Sequence, residues 1–223
     1  MLSRTRVSKR NGMIAIKKAY LRFADEHAPL IDVNDVNLEW HGFATLEAPS
    51  GAGKTTFLRL LAGWFAKKHP HAVARLDWNI REPMKVKFIG LHSGLLPWLT
   101  VAKNLSLLIK AQNHDFVQLM NEVGLDTNVL TLYPYQLSLG MYKRVELVIA
   151  ILDEPTLLLL DEYFTSIDER TKNLVKNFIE RRRNHAMTWV VAHEADLRQW
   201  ITSTAHRLET NPSTGIVHNI TRI

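Results

Sequence analysis

Residues 14–23, IAIKKAYLRF, alternate well enough between apolar and polar side chains to suggest a strand ending at Phe23, and 31–38 reads as a second strand. Phe43–Glu47 is short, half apolar and bounded by turn residues, which predicts a third. Phe57, Leu58 and Leu61 then recur at helical spacing, predicting a helix from Lys54 to about Lys67 or Lys68, stopped by His69-Pro70. Val73–Trp78 reads as an edge strand and Val86–Ile89 as a short strand, followed by the irregular stretch LHSGLLPWLT. From about Thr100 to Ile151 the period becomes helical. Val101, Leu105, Leu108 and Ile109 share one face; Phe116, Leu119, Met120 and Val123 share another, closed by Gly124. A third helix starts near Ser138, with Val145, Leu147, Val148 and Ile151 as its apolar positions. Buried strands return at TLLLL (156–160) and TWVVA (188–192), separated by a helix over Lys172–Arg183 with Leu174, Phe178 and Ile179 on one side. Strands alternating with helices predict an α/β fold with a mainly parallel sheet. The helical block falls between two strand-bearing stretches. The expected organisation is a tail at 1–12 and one domain at 13–223, with a core of 13–98 and 152–223 and an inserted helical subdomain at 99–151.

The stretch FATLEAPSGAGKTT (43–56) places a strand, a glycine loop and a helix in the order that a phosphate-binding P-loop requires. Gly51 and Gly53 let backbone N–H groups turn inward around a polyphosphate, with Ser50 and Ala52 as the small residues between and beside them. The helix beginning near Lys54 offers unpaired N–H groups and a positive dipole end to the same anion. Lys54 reaches the terminal phosphates, Thr55 has a hydroxyl for Mg²⁺, and Thr56 continues the loop into the helix. Ala48 stands where the pattern has its first glycine. Downstream, Asp161 and Glu162 end the TLLLL strand, at the sheet edge where open α/β folds bind ligands. Asp161 can hold Mg²⁺ directly or through water, and Glu162 can accept a proton from an attacking water.

Composition narrows the function classes. No run approaches the roughly 18 apolar residues of a membrane span, so work at a membrane goes through a partner. The chain has no cysteine, which removes disulfides, thiolate catalysis and zinc–thiolate sites. The net charge is +6, but Arg4, Arg6, Lys9 and Arg10 supply four charges in a leading segment without acids. The remainder is mildly basic, and no nucleic-acid surface is indicated. Arg181-Arg182-Arg183 reads as a solvated helix end. The opening MLSRTRVSKRNGM lacks the apolar stretch of a secretory signal. His92 and the other histidines show no metal-ligand spacing.

Several motifs together carry a family resemblance. SGAGKTT, LLPWLTVAKNL, QLSLGMYKRV, LLLLDEYFTSID and VVAHE occur in the order found in the ATP-binding subunits of ABC transporters, which the chain resembles from about residue 14 to 195. QLSLGM is similar to the signature LSGGQ, and Asp161 follows Ser138 by 23 positions, as in that family's layout. The resemblance implies a P-loop NTPase of ABC-ATPase type, with an N-terminal antiparallel β part beside the parallel core. It implies ATP and Mg²⁺ as cofactors, transmembrane permease subunits as partners, and a head-to-tail dimer of ATPase subunits at the cytoplasmic face of the inner (plasma) membrane. By the same resemblance Phe23 stacks on adenine, although it also fits a core position. Ser138 and Gly140 cap the γ-phosphate of ATP on the other protomer. Asp168 matches the D-loop aspartate and His193 the switch histidine near the γ-phosphate. Lys54, Glu162 and His193 form the catalytic set, with Thr55 and Asp161 on the metal.

Departures from the family pattern are equally specific. Leu91 occupies the Q-loop position, where glutamine is usual; leucine has no group to bind Mg²⁺ or orient water. Leu139 replaces the first glycine of the signature pair, Tyr163 follows Asp161-Glu162 where proline is usual, and Ile149 stands where the signature helix often has arginine. The segment LLPWLTV most resembles ATPases of importers for nitrate, sulfonates, taurine and thiamine-precursor pyrimidines, which favours an importer. The alternatives are an exporter ATPase, such as that of haem export for cytochrome c assembly, a regulatory nucleotide-binding subunit, or a soluble ABC ATPase of DNA repair or translation. Leu95, Leu96 and Trp98 fit either intradomain packing or a docking patch.

Overall fold

The computed structural model describes residues 12–40, 43–65, 72–79, 85–90, 94–109, 114–182, 187–191 and 204–222. Residues 1–11 of the expected tail at 1–12, the helix stop at His69-Pro70, and Leu91, His92, Arg183 and His193 lie outside the described residues. Nine strands among these residues form one sheet: β1 (Gly12–Phe23), β2 (Ile31–Trp40), β3 (Phe43–Glu47), β4 (Ala72–Asn79), β5 (Val86–Ile89), β6 (Leu157–Asp161), β7 (Met187–Val191), β8 (Thr204–Thr210) and β9 (Val217–Arg222). Their order is β4-β1-β2-β9-β8-β3-β7-β6-β5. The run β5-β6-β7-β3-β8 is parallel throughout. β4, β1 and β2 are antiparallel, as are β8 and β9. β2 joins the rest through one parallel pairing, Ile31 with Val217. The sheet is therefore a parallel core with an N-terminal antiparallel wing, and β4 is its outer strand.

β6 shows why an unbroken apolar run forms a central strand. All five of its residues are buried. Leu157 and Leu159 pack with Phe57, Leu58 and Leu61 of α1 (Lys54–Leu61) and with β1 and β2. Leu158 and Leu160 face the opposite cluster, built from α2 (Val101–Leu108), α3 (Phe116–Glu122), α4 (Leu139–Leu152) and α5 (Glu169–Arg182). Alternate residues point to opposite faces, and both faces here are covered, so the four positions before Asp161 are all leucine. β1 covers only one face, and its alternation slips once. Ile16, Ala19 and Leu21 are buried, and a bulge between Ile16 and Lys18 resets the phase while leaving Lys17 exposed.

Some boundaries differ from the sequence expectation. α1 stops at Leu61 rather than near Lys67: Gly63 takes φ +70° and its N–H returns to the Leu60 carbonyl, closing the helix in a left-handed cap. α5 begins at Glu169 rather than Lys172, because Asp168 accepts the Thr171 N–H (3.0 Å) and caps the first turn. β8 and β9 were not anticipated. They carry polar, weakly patterned residues and are held by pairing with β3 and with each other.

α3 is tied to α5 by Glu122, whose two oxygens accept Arg182 Nη2 (2.7 Å) and Nε (3.1 Å). The Arg182 hydrogen bond holds the Glu122 carboxyl below its ordinary value of 4.5, against the opposing effect of burial. A depressed folded-state pKa gives stability that is present above the unfolded value and lost as pH falls through the folded one. Wild type is therefore expected to lose stability more steeply than Glu122→Gln as pH drops below about 4.5. At pH 7 the substitution should cost about 1–2 kcal/mol. Denaturant melts of both proteins at pH 7 and pH 4 measure the difference; equal slopes with pH would remove Glu122 from the account.

Candidate functional site

The strand order β3-β7-β6 is parallel, so the carboxyl ends of β3 and β6 emerge on the same edge, one strand apart. The P-loop leaves β3 after the buried Glu47 and Ala48. Gly51 and Gly53 take φ +78° and +84°, conformations that glycine enters without steric cost. Ala48 does not adopt positive φ, which is why alanine is accommodated in the first glycine position. Gly53 caps α1 without a side-chain hydrogen bond, and no acid occupies the first turn, so that turn's N–H groups have no side-chain cap and no repelling carboxylate against an anion. Lys54 is buried, and its Nζ donates to the carbonyls of Ala48 (2.5 Å) and Pro49 (2.9 Å). The ammonium is thereby held across the mouth of its own loop.

Glu162 meets this loop from β6. Ser50, Gly51, Gly53, Lys54, Thr55, Thr56 and Glu162 line a single cleft of about 210 Å³. That is below the roughly 300 Å³ at which a pocket encloses a whole drug-sized ligand, so the cleft suits the phosphate end of a nucleotide. Glu162 has φ 46° and ψ 34°, a left-handed conformation that costs a non-glycine residue about 1–2 kcal/mol. Its carbonyl accepts Lys143 Nζ (2.8 Å) and Thr165 Oγ1 (2.8 Å), which holds the unusual turn in place.

Asp161, the last residue of β6, is 6% exposed. Burial raises its pKa, and a hydrogen bond with Thr55 opposes the shift. Its Oδ1 has no hydrogen-bond partner. A buried carboxylate oxygen without a donor, beside a threonine hydroxyl, is the hard-oxygen set that suits Mg²⁺. No group of three or more metal-ligating side chains occurs among the described residues.

The other sequence-derived residues among those described lie outside the cleft. Phe23 ends β1 and packs edge-on against Phe65, with ring centroids 5.8 Å apart. Ser138 caps α4, its hydroxyl accepting the Met141 N–H, and Gly140 lies in the first turn. Leu139 is 43% exposed at that tip, so the bulk that replaces glycine projects outward and does not disturb the chain's own core. Asp168 is fully exposed; its hydrogen bonds with Thr171 lower its pKa. Ala52 belongs to the loop without lining the cleft.

Two positioning residues escaped the sequence reading. Asn104 is fully buried: its Oδ1 accepts the Leu96 N–H (2.7 Å), and its Nδ2 donates to the carbonyls of Leu96, Leu99 and Thr100 at 3.0–3.1 Å. It fixes the LLPWLT loop, in which Leu95 is buried and Trp98 is 69% exposed. Leu95 is thus packing, whereas Trp98 is surface. The second is Lys143, buried beside Tyr163; the sole signal for it in the sequence was the departure at Tyr163.

Residues 35–165 match the family described as ABC transporter. An aliphatic sulfonates import ATP-binding protein of Pseudomonas syringae pv. tomato is 31% identical over 198 residues, which cover 87% of this chain and 81% of the relative. A spermidine/putrescine import ATP-binding protein of Chromobacterium violaceum is 33% identical over 199 residues, covering 82% of this chain and 53% of the relative. Among solved structures, a dimeric ATP-binding cassette in a post-hydrolysis state with ADP and Pi superposes with a TM-score of 0.70. The match covers 94% of this chain and 98% of that one at 19% identity, a likeness of fold.

Proposed function

The chain belongs to the ABC transporter family as an ATP-binding, ATP-hydrolysing subunit, and on that premise we propose that it energises import of a small solute across a membrane. The observation that carries this reading is the convergence of the P-loop and Glu162 on one cleft. The loop residues Ser50, Gly51, Ala52, Gly53, Lys54, Thr55 and Thr56 hold the polyphosphate, Lys54 neutralising the terminal groups. Thr55 and Asp161 hold Mg²⁺, which when bound supplies positive charge to the phosphate oxygens. Glu162 orients the attacking water and takes its proton. Phe23 meets the base, and by the family resemblance His193 serves as the switch histidine. Ser138, Gly140 and Asp168 act across a dimer with a second ATPase subunit, so each site is completed by its partner. Chain organisation follows the same reading: one ABC ATPase domain at 13–223, with residues 99–151 as the helical subdomain.

No described helix is long and apolar enough to cross a membrane. In this reading transmembrane permease subunits supply the path, and this chain is peripheral at the cytoplasmic face. Import is favoured by the import ATP-binding relatives. Those two carry different cargo names at nearly equal identity, so identity does not select the solute. A second reading, a regulatory subunit with weak turnover, is favoured by Leu91 and Leu139.

Reconstitution with the membrane subunits in liposomes tests the proposal. ATP-dependent movement of a labelled sulfonate or polyamine from the receptor face to the ATP face is expected. Movement in the opposite direction would establish an exporter. ATP binding without turnover, relieved by a second ABC subunit, would establish the regulatory reading, and a gain on Leu91→Gln would locate the defect.

A further inference from the structure

Glu162 is held from behind by a pair of buried residues that the reaction itself does not use. Lys143 lies in the first half of α4, five positions after Ser138, and is 1% exposed. Its Nζ donates to the carbonyls of Glu162 (2.8 Å) and Tyr163 (3.4 Å). Tyr163 is fully buried, and its hydroxyl donates back to the Lys143 carbonyl (3.2 Å). The two residues thus bond each other's segments reciprocally. The phenol half of this arrangement is unavailable to the proline usual at position 163. A buried ammonium needs partners: burial lowers the Lys143 pKa, nearby Glu162, Asp161 and Glu146 oppose that shift, and the two carbonyls accept its N–H groups.

The contacts fall at a consequential place. One end of the pair lies on the helix whose tip is Ser138–Gly140; the other sets the left-handed turn of Glu162. We propose that Lys143 and Tyr163 are positioning residues that latch the Glu162 turn to α4, so that Glu162 is aimed correctly only while the tip of α4 is in place. In a head-to-tail dimer this ties each chain's own Glu162 to the segment that caps its partner's nucleotide. The inference rests on the reading of Glu162 as proton acceptor.

The test compares wild type with Lys143→Met, Lys143→Arg, Tyr163→Phe, the Lys143→Met/Tyr163→Phe double variant and Glu162→Gln as full chains. Affinity for a fluorescent ATP analogue, turnover, KM and amide hydrogen exchange are measured on each. Misplacing a reacting group by about 1 Å costs up to ~100-fold. Lys143→Met is expected to lower kcat by roughly 10- to 100-fold and Tyr163→Phe by roughly 3- to 10-fold, with analogue affinity within about twofold. The double variant should be no slower than Lys143→Met alone, the mark of one shared unit. Lys143→Arg should recover part of the loss. Independently of turnover, amides 163–166 should exchange at least about tenfold faster in Lys143→Met while those of α1 stay unchanged. If Lys143→Met does not fold, Tyr163→Phe decides by the same measures.

Unchanged kcat and unchanged exchange would overturn the latch. So would a fall in analogue affinity and thermal stability that parallels the fall in kcat, since that marks a structural role alone. Full turnover by Glu162→Gln would overturn the reading of Glu162, and the latch with it. Loss of turnover in Glu162→Gln with unaffected latch variants would overturn the latch alone.

Discussion

Glu162→Gln is expected to lower ATP turnover by about 10²- to 10⁴-fold while leaving ATP affinity within a few-fold. The amide keeps the size and turn of the side chain but carries no charge and cannot take a proton from water. Glu162 faces the P-loop across the cleft, and its main chain is fixed by the Lys143 and Thr165 bonds. The substitution therefore removes the base without moving the walls of the site. Lys54, Thr55 and Asp161, the groups assigned to phosphate and metal, are untouched. Phosphate release at saturating ATP, beside a binding titration, separates the two quantities. Turnover at the wild-type rate would mean that another group receives the proton. Equal losses of affinity and turnover would mean that Glu162 contributes chiefly to binding.

Lys54→Met is expected to weaken ATP binding by roughly 30- to 1000-fold, from about 2–4 kcal/mol for lost charge-assisted contacts to phosphate. Methionine preserves most of the buried stem, so packing against the loop changes little. The loss is instead that of a cation held between the Ala48 and Pro49 carbonyls at the mouth of the glycine loop. Those carbonyls orient the ammonium before any anion arrives, so little ordering is required on binding. Titration with ATP and with ADP measures the effect. The larger loss should fall on ATP if the lysine acts at the terminal phosphate as proposed. Wild-type affinity in Lys54→Met would remove the lysine as phosphate anchor.

How much of this was legible in sequence depended on whether the cause was local. The P-loop was legible because glycines, a lysine and a hydroxyl in fixed spacing determine a turn within ten residues. β3 was legible because a short, half-apolar run is bounded by turn residues, and β6 because its run of four leucines suits a strand buried on both faces. Asp161 and Glu162 were legible because an acid pair ending such a strand interrupts that pattern. α1 was read too long because alanine, tryptophan and phenylalanine near Gly63 continue a helical pattern; the glycine's left-handed cap decides the end. β8 and β9 were missed because their residues have little periodicity of their own.

The α/β class, the phosphate loop and the acid pair follow from residues that are neighbours along the chain. That Glu162 and Lys54 share a cleft follows from β7 pairing between β3 and β6, a non-local choice of strand order visible in the folded sheet. The tertiary structure likewise decided that Asn104 fixes the loop bearing Trp98, and that Lys143 and Tyr163, 20 residues apart, bond each other's segments. A buried polar group must find a partner, but the chain's local pattern does not specify which one. Packing of α4 against the end of β6 supplies it.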